Sequence, residues 1–243
     1  PVRALAVFAE FKKLVPEAIF LYHCNPYDIG NDLVKELKYY DLKLNEDVIF
    51  PSGLVNGKLE GLPISEINEA YNLADIMIST TLGEGWGLST TEAMACKVPL
   101  VVPRNTSSIE IVGEKEERGY LANCGNDLNM WAVNQRVKDE PPRPLTDIYD
   151  MVAKMKKIYD DQKSEKFEET ETYKKAEEAY KYAQENTWEI IVKNRWLPVF
   201  EEAKSEVIAE KENLEKPTEN ATIETDSNQK VNETAEDSTK SEV

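Results

Sequence analysis

The chain has 243 residues, of which 41% are hydrophobic and 31% charged, a globular balance sufficient for one good-sized domain or two small ones. Its formal net charge of -17 at pH 7 argues against a general nucleic-acid or anionic-membrane binder, because both need an accessible basic face. No apolar run approaches the roughly 20 residues that span a bilayer, and an anionic ligand would have to be met by local dipoles or by individual cations that the total charge conceals.

Three cysteines, Cys24, Cys96 and Cys124, show neither the even count of a disulfide framework nor the spacing of a zinc site, so they read as reduced thiols of a cytoplasmic protein. Asn105, Asn220 and Asn232 each begin an N-glycosylation triplet, a match too short to outweigh that reading. The text opens at Pro1 inside a helical pattern, and the sequence is expected to be a fragment lacking an upstream part.

The first 125 residues alternate helix and strand signals. Residues 2–14 are helix-permissive and are stopped by Pro16. Residues 18–22 form a short apolar run, consistent with a strand buried on both faces. Leu33, Leu37 and Tyr40 recur at helical spacing. Residues 47–50 read as a second strand, closed by Pro51, Ser52 and Gly53. Ser65 is placed to start a helix whose inward stripe is Ile67, Ala70, Tyr71 and Ala74. Residues 75–78 are a third strand, followed by a Gly-rich turn and a helix over about 88–96. Residues 99–103 are a fourth strand. Strands separated by helices of about ten residues predict an α/β fold, a Rossmann-like parallel sheet with flanking helices. In such sheets ligands bind at the carboxyl ends of the strands.

Past residue 145 the pattern is helical. Ile148, Met151, Val152, Met155, Ile158 and Tyr159 form one stripe, a charge-rich helix is expected over 169–185, and a third from Thr187 to about 205. Residues 134–144 read as a loop, because Pro141, Pro142 and Pro144 oppose regular structure. Trp188 and Trp196 are expected to anchor the core. The resulting division is a domain over residues 1–200 and, over 201–243, a helix end with an acidic tail. That second segment carries about half of the net negative charge, and beyond Pro217 it has too few large apolar side chains to offset ordering entropy, so it is expected to be disordered.

The chemistry concentrates in residues 82–104, where a strand runs into Gly83, Gly85 and Gly87 and then into a helix. Glycines let a backbone approach a ligand closely, and a helix starting there turns unpaired N–H groups and the positive end of its dipole toward the space above the sheet. Glu84 precedes the helix and Glu92 lies in its first turns. Carboxylates accept paired hydrogen bonds from vicinal diols, which suits a ribose or a hexose. On these residues alone, a tight turn with exposed acids remains an equal alternative.

The segment resembles the donor-binding motif of glycosyltransferase family 4, the group 1 glycosyl transferases. These are retaining enzymes of the GT-B architecture, whose C-terminal domain carries two glutamates separated by seven residues, as Glu84 and Glu92 are. The Gly-aromatic-Gly of residues 85–87, the Glu-Ala-Met-Ala of 92–95 and the Val-Pro of 98–99 fit as well. So do Tyr71-Asn72-Leu73-Ala74-Asp75-Ile76 upstream, residues 105–112 downstream and Asn186-Thr187-Trp188-Glu189 near the end. The resemblance implies the C-terminal, nucleotide-sugar-binding half of a GT-B fold, transferring a hexose from a nucleotide-diphosphate sugar to a glycan, lipid or protein acceptor with retention of configuration. It implies no cofactor and no obligatory metal.

Residue by residue, Glu84 is implied as the catalytic-site carboxylate at the sugar hydroxyls and Glu92 as the ribose ligand. Gly85, Trp86, Gly87, Leu88 and Ser89 would line the sugar and diphosphate, with Ser52 and Gly53 framing the nucleobase. His23, Arg3 and Glu110 are further candidates. The family's cationic loop lies upstream of residue 2 and is absent here, as is its N-terminal acceptor domain, which would be supplied in cis or in trans; the chain alone is expected to be inactive. Lys97 and the pair Ser107 and Ser108 stand where the family commonly has Gly. The alternative readings are a stand-alone nucleotide-sugar-binding subunit of a split enzyme and a non-catalytic remnant.

Overall fold

The computed structural model describes residues 1–27, 32–51, 54–55, 58–59, 62–127, 130–132 and 141–214. Within them the order is α1 (Val2–Leu14), β1 (Phe20–Leu21), α2 (Leu33–Tyr39), β2 (Val48–Ile49), β3 (Leu54–Val55), β4 (Lys58–Leu59), α3 (Ile64–Leu73), β5 (Met77–Ile78), α4 (Leu88–Ala95), β6 (Leu100–Pro103), α5 (Thr106–Val112), β7 (Tyr120–Ala122), β8 (Trp131–Ala132), β9 (Arg143–Pro144), α6 (Ile148–Gln162), α7 (Glu171–Glu185), α8 (Trp188–Ile191) and α9 (Leu197–Leu214). Strands β5, β6 and β7 form a parallel sheet in that order, and β1 pairs with β2, also parallel. The expected α/β, Rossmann-like fold is the one observed.

Sheet periodicity sorts the core into layers. Successive side chains of a strand point to opposite faces. Val101 of β6 and Tyr120 and Ala122 of β7 therefore meet Val7 and Phe11 of α1 and Met151, Met155 and Ile158 of α6. Leu100, Val102 and Leu121 meet Met94 of α4, Ile111 and Val112 of α5 and Ala179 of α7 on the other face. A third cluster packs Leu5 and Phe8 of α1 with Leu33, Leu37 and Val48. Each fully buried Val, Leu or Met contributes about 1.5–3 kcal/mol relative to exposure, so these layers dominate the stability of the sheet.

The helix starts follow local chemistry. The Asp147 side chain accepts from the amides of Tyr149 and Asp150 at the start of α6, and Thr170 accepts from Tyr173 N at the start of α7. Four sequence readings need correction. The run at residues 18–22, expected as a strand buried on both faces, forms a strand only at Phe20–Leu21, and Ile19 and Leu21 are exposed. Helix α3 begins at Ile64 behind Pro63, not at Ser65, because a proline costs nothing where a helix has no amide to bond; Ile67, Ala70, Tyr71 and Ala74 stay only half-buried. Residues 143–144, expected in a loop, pair antiparallel with residues 131–132. Pro144 fits there because the next residue, Leu145, makes the amide bond to Met130 O (2.7 Å), leaving no ladder donor missing. Trp188 and Trp196 are not core anchors: they are 70% and 51% exposed, and Trp196 packs along its own helix onto Phe200.

The chain divides into two compact units, the first ending at Ile190 and the second starting at Ile191. The described part of the second unit is a π-helical stretch over Val192–Trp196 leading directly into α9. The expected acidic tail after Pro217 lies outside the described residues. Among the described residues no helix is long and apolar enough to cross a membrane.

Candidate functional site

The site is built at the carboxyl end of the β5–β6–β7 sheet. Beyond β5, the Ser79 amide still bonds Val101 O (3.2 Å), and then the chain turns over the sheet edge toward α4. Polar side chains of the neighbouring connection hold this turn from one side. Asn105 Nδ2 donates to Thr81 O (3.1 Å), the Glu84 amide donates to Thr106 Oγ1 (3.0 Å), and Ser107 Oγ donates to Trp86 O (2.9 Å). Asn105 is buried in this role, which leaves its amide no access for a glycan. Thr106 adopts a left-handed φ of 39° to present its hydroxyl, a strained conformation for a β-branched residue.

The glycines serve different needs. Gly87 starts α4 at φ 91°, ψ 65°, a left-handed conformation, and offers no side-chain cap to the helix. The first-turn amides of Leu88 and Ser89 thus begin the helix without a capping oxygen, and both residues are exposed. Gly85 is open: a Cβ there would meet nothing within 4 Å. Gly83 lacks a positive φ; its Cβ position is instead crowded, 3.2 Å from Arg143 Nη1 and 3.2 Å from Thr106 Cγ2.

Glu84 and Glu92 are both exposed, and each is held by a hydroxyl. Thr81 Oγ1 donates to Glu84 Oε1 at 2.8 Å. Tyr71 of α3 donates to Glu92 Oε2 at 3.0 Å. Burial, reinforced by the adjacent Glu92 carboxylate, pushes the Tyr71 hydroxyl well above its ordinary pKa, so it remains a donor throughout the physiological range. The outcome is two oriented carboxylates flanking a bare, positively polarised helix start. Such a group can accept hydrogen bonds from diols and donate to an anion between them.

Other residues singled out in the sequence are placed as follows. Trp86 is half-buried against the core below Met94, so it offers its backbone to the turn. Ser52 and Gly53 lie outside the described residues, as does Asp28. His23 is exposed just past β1, at the carboxyl end of the β1–β2 pair. Glu110 is exposed on α5, its carbonyl bonded by Arg118 Nη2 (2.8 Å). Arg3 reaches from the first turn of α1 to Thr146 O (2.6 Å) and Met130 Sδ (3.5 Å). Burial lowers its pKa, and Asp147 opposes that shift. Lys97 has the left-handed φ (58°) expected at a position commonly held by Gly. The sequence did not single out Tyr71, Thr81, Thr106 or Arg143 as residues of the site, although Tyr71 and Thr106 lie in segments that carry the resemblance. Tyr71 was legible as inward-facing, but its bond to a residue 21 positions away needs the packing of α3 on α4. No group of three or more His, Cys, Asp or Glu side chains placed to hold a metal ion occurs among the described residues.

Residues 25–134 match the family described as Glycosyl transferases group 1, a span that contains the whole turn and both glutamates. No curated protein matches the chain. Among solved structures it is similar to a glycosyltransferase from Rickettsia africae (TM-score 0.58, 14% identity, 82% of this chain and 44% of that one). It is also similar to the pneumococcal O-GlcNAc transferase GtfA, solved in complex with UDP and GlcNAc (TM-score 0.52, 17% identity, 82% and 32%). A third is the C-terminal domain of a group 1 family glycosyl transferase, LpcC, from Francisella tularensis (TM-score 0.50, 19% identity, 76% and 77%). At these identities the likeness is one of fold, that of the C-terminal half of GT-B glycosyltransferases. The chain spans less than half the length of the first two structures.

Proposed function

We propose that this chain is the donor-binding half of a retaining glycosyltransferase and binds a nucleotide-diphosphate sugar across residues 84–92. The observation that carries the reading is the uncapped start of α4 at left-handed Gly87, set between two exposed and hydroxyl-oriented carboxylates at the carboxyl end of a parallel sheet. Glu92 accepts from the ribose hydroxyls, with Tyr71 fixing its orientation. Glu84 accepts from hydroxyls of the donor hexose. The amides of Trp86, Gly87, Leu88 and Ser89 face the sugar and the diphosphate, where fixed dipoles stabilise the charge of the leaving group without reorganising. The roles expected of Ser52 and Gly53 at the base, and of His23 and Glu110 beside the donor, belong to the same proposal.

The family match over the turn and the fold shared with a transferase solved with UDP and GlcNAc support this reading. The acceptor, be it glycan, lipid or protein, and the N-terminal domain that binds it, in cis or in trans, belong to the same proposal, as do the lack of an obligatory metal and a cytoplasmic location. No disulfide joins Cys24, Cys96 and Cys124, which suits a reducing compartment.

Titration calorimetry of the chain with UDP, GDP, ADP and their hexose conjugates tests it. One nucleotide series is expected to bind, and Glu92→Ala is expected to weaken it about 10- to 100-fold, the loss of a charge-assisted pair of hydrogen bonds. Absence of binding by the unaltered chain to all three series at millimolar concentration, or equal affinity in the Glu92→Ala chain, refutes the assignment.

A further inference from the structure

Strands of a parallel sheet are covered on both faces and, unless they end the sheet, paired on both edges. Strands β1 and β5 depart from this in the same way. Around β1, Ile19 and Leu21 are 61% and 37% exposed, and at β5 Ile76, Met77 and Ile78 are only half-buried, whereas every residue of β6 and β7 is buried. Alternate residues of a strand turn their backbone groups to alternate edges. Phe20 N donates to Asp47 O and Tyr22 N to Ile49 O (both 2.8 Å), so the amide and carbonyl of Leu21 between them point away from β2. Met77 N donates to Pro99 O (2.9 Å) and Ser79 N to Val101 O (3.2 Å), so those of Ile78 point away from β6. Among the described residues, neither β1 nor β5 pairs with a strand on this second edge.

One helix lies over both sheets. Val7 and Phe11 of α1 pack with Val101 and Ala122, and Leu5 and Phe8 pack with Val48. Ala18, at the entrance to β1, packs against both clusters, and Ile76 and Ile78 flank the first of them. Helix α1 also runs opposite to the strands. At its start, Pro1 O accepts from Tyr22 OH (3.0 Å), just past the carboxyl end of β1. Near its end, Lys12 Nζ donates to Ala18 O (2.8 Å) and pairs with Asp47 (2.8 Å), at the amino ends of β1 and β2. A helix antiparallel to the strands, lying across two sheets and leading into β1, has the placement of the crossover in a βαβ unit, whose first strand precedes the helix. At 1.5 Å per residue α1 spans about 20 Å, the length of a five- or six-residue strand.

We propose that the open edges of β1 and β5 form one slot for an extended strand, parallel to both, apolar on both faces and joined to the chain directly ahead of Pro1. The strand bonds the backbone of Leu21 on one side and of Ile78 on the other, giving a single sheet in the order β2, β1, added strand, β5, β6, β7. A second copy pairing edge to edge would satisfy one of these strands only. The position of Pro1 beside Tyr22, by contrast, is where a parallel strand filling the slot would arrive. The slot is independent of what the turn after β5 binds.

Two measurements test it. In the unextended chain, hydrogen exchange at the Leu21 and Ile78 amides is expected within about 10-fold of the unfolded-chain rate, with Tyr22 and Ser79 at least about 100-fold slower. Equal protection of all four amides overturns the open edges. The chain is then extended ahead of Pro1 by a five-residue strand of Val and Ile and a three-residue loop of Gly and Asn. Both edge amides are expected to slow at least about 100-fold and the Tm to rise by about 5 °C or more. Two adjacent prolines at the centre of the added strand, which remove an amide from each of its edges, abolish both effects. Unchanged exchange at Leu21 and Ile78 in the extended chain overturns the slot, and slowing at one of them alone overturns a single strand bridging both sheets. Protection in the unextended chain that grows with protein concentration, with light scattering showing a dimer, assigns the edge to a second copy and overturns the proposed occupant.

Discussion

Helix α4 runs from one end of the sheet to the other, and its two termini are finished in opposite ways. Both end in left-handed backbone: Gly87 at φ 91° before the helix and Lys97 at φ 58° after it. At the start, the left-handed residue has no side chain, the first amides have no cap, and the surrounding carboxylates face solvent. At the far end, Lys97 pairs with Glu177 of α7 (2.7 and 3.0 Å) and lies 4.8 Å from the centre of the Tyr180 ring. Nearby, Gln162 Nε2 closes onto Asp75 O (2.8 Å). A cavity of about 250 Å³ opens at this second end, lined by Ala74, Pro99, Phe167 and Tyr173 among others, yet its polar rim is already internally bonded. Among the described residues, this cavity and the ligand chemistry thus sit at opposite ends of one helix. The chemistry marks the end where backbone donors and carboxylates have been left for something else to satisfy.

The comparison can be broken first in the middle. Met94 lies between the two termini, fully buried against Leu100, Val102 and Ile111. Met94→Ala is expected to cost about 2–5 kcal/mol, lowering the Tm by about 5–15 °C, because the cavity forms in a layer shared by β6, α5 and α7. Thermal unfolding followed by circular dichroism checks this, and nucleotide affinity measured well below the Tm should stay near that of the parent. A loss confined to affinity would mean that α4 is not held as a rigid element. At the ligand end the balance reverses. Gly87→Ala adds a methyl group with room to fit, since its nearest neighbour, Thr90 Oγ1, would be 3.5 Å away. The cost is therefore backbone strain of about 1–2 kcal/mol, or about 2–8 °C in Tm. Relief of that strain by rotation of the turn would move the first amides, so nucleotide affinity is expected to fall at least about 10-fold. A Tm loss without an affinity loss would detach Gly87 from the site.

How much of this was legible beforehand depends on the range of the interaction. The alternation of helix and strand, the glycine turn and the two glutamates are local patterns, and residues 2–14, 88–96 and 99–103 fall on observed elements. The strain at Lys97 was also foreseeable, because a single position with a preferred Gly has a local cause. What the sequence concealed was contact between distant segments. Thr106 holds Glu84 from 22 residues away, and Arg143 meets Gly83 across 60 residues and three strands. The tryptophans misled for a related reason: Trp188 and Trp196 have the size of core residues, but burial depends on what covers a helix, which composition does not reveal.

The smallest effect is expected at the far end of α4. Lys97→Gly removes two opposing contributions together. Glycine adopts φ 58° without steric cost, which stabilises the helix end, while the ion pair with Glu177 and the contact with Tyr180 are lost. That ion pair is half-exposed, so water and salt screen it. Its hydrogen bond to the Glu177 carboxylate raises the Lys97 pKa. A raised lysine pKa contributes stability that is complete below the ordinary lysine range and is lost only as the pH climbs through and beyond it. Lys97→Gly should therefore shift the Tm by no more than about 2 °C at pH 7, and should flatten the alkaline limb of the stability profile rather than the neutral one. Donor affinity should not change, because no contact of Lys97 reaches the Gly87 end. An affinity change of 10-fold or more would show that the two termini are coupled through α4, and that the rigid bridge between a structural end and a binding end is the wrong description.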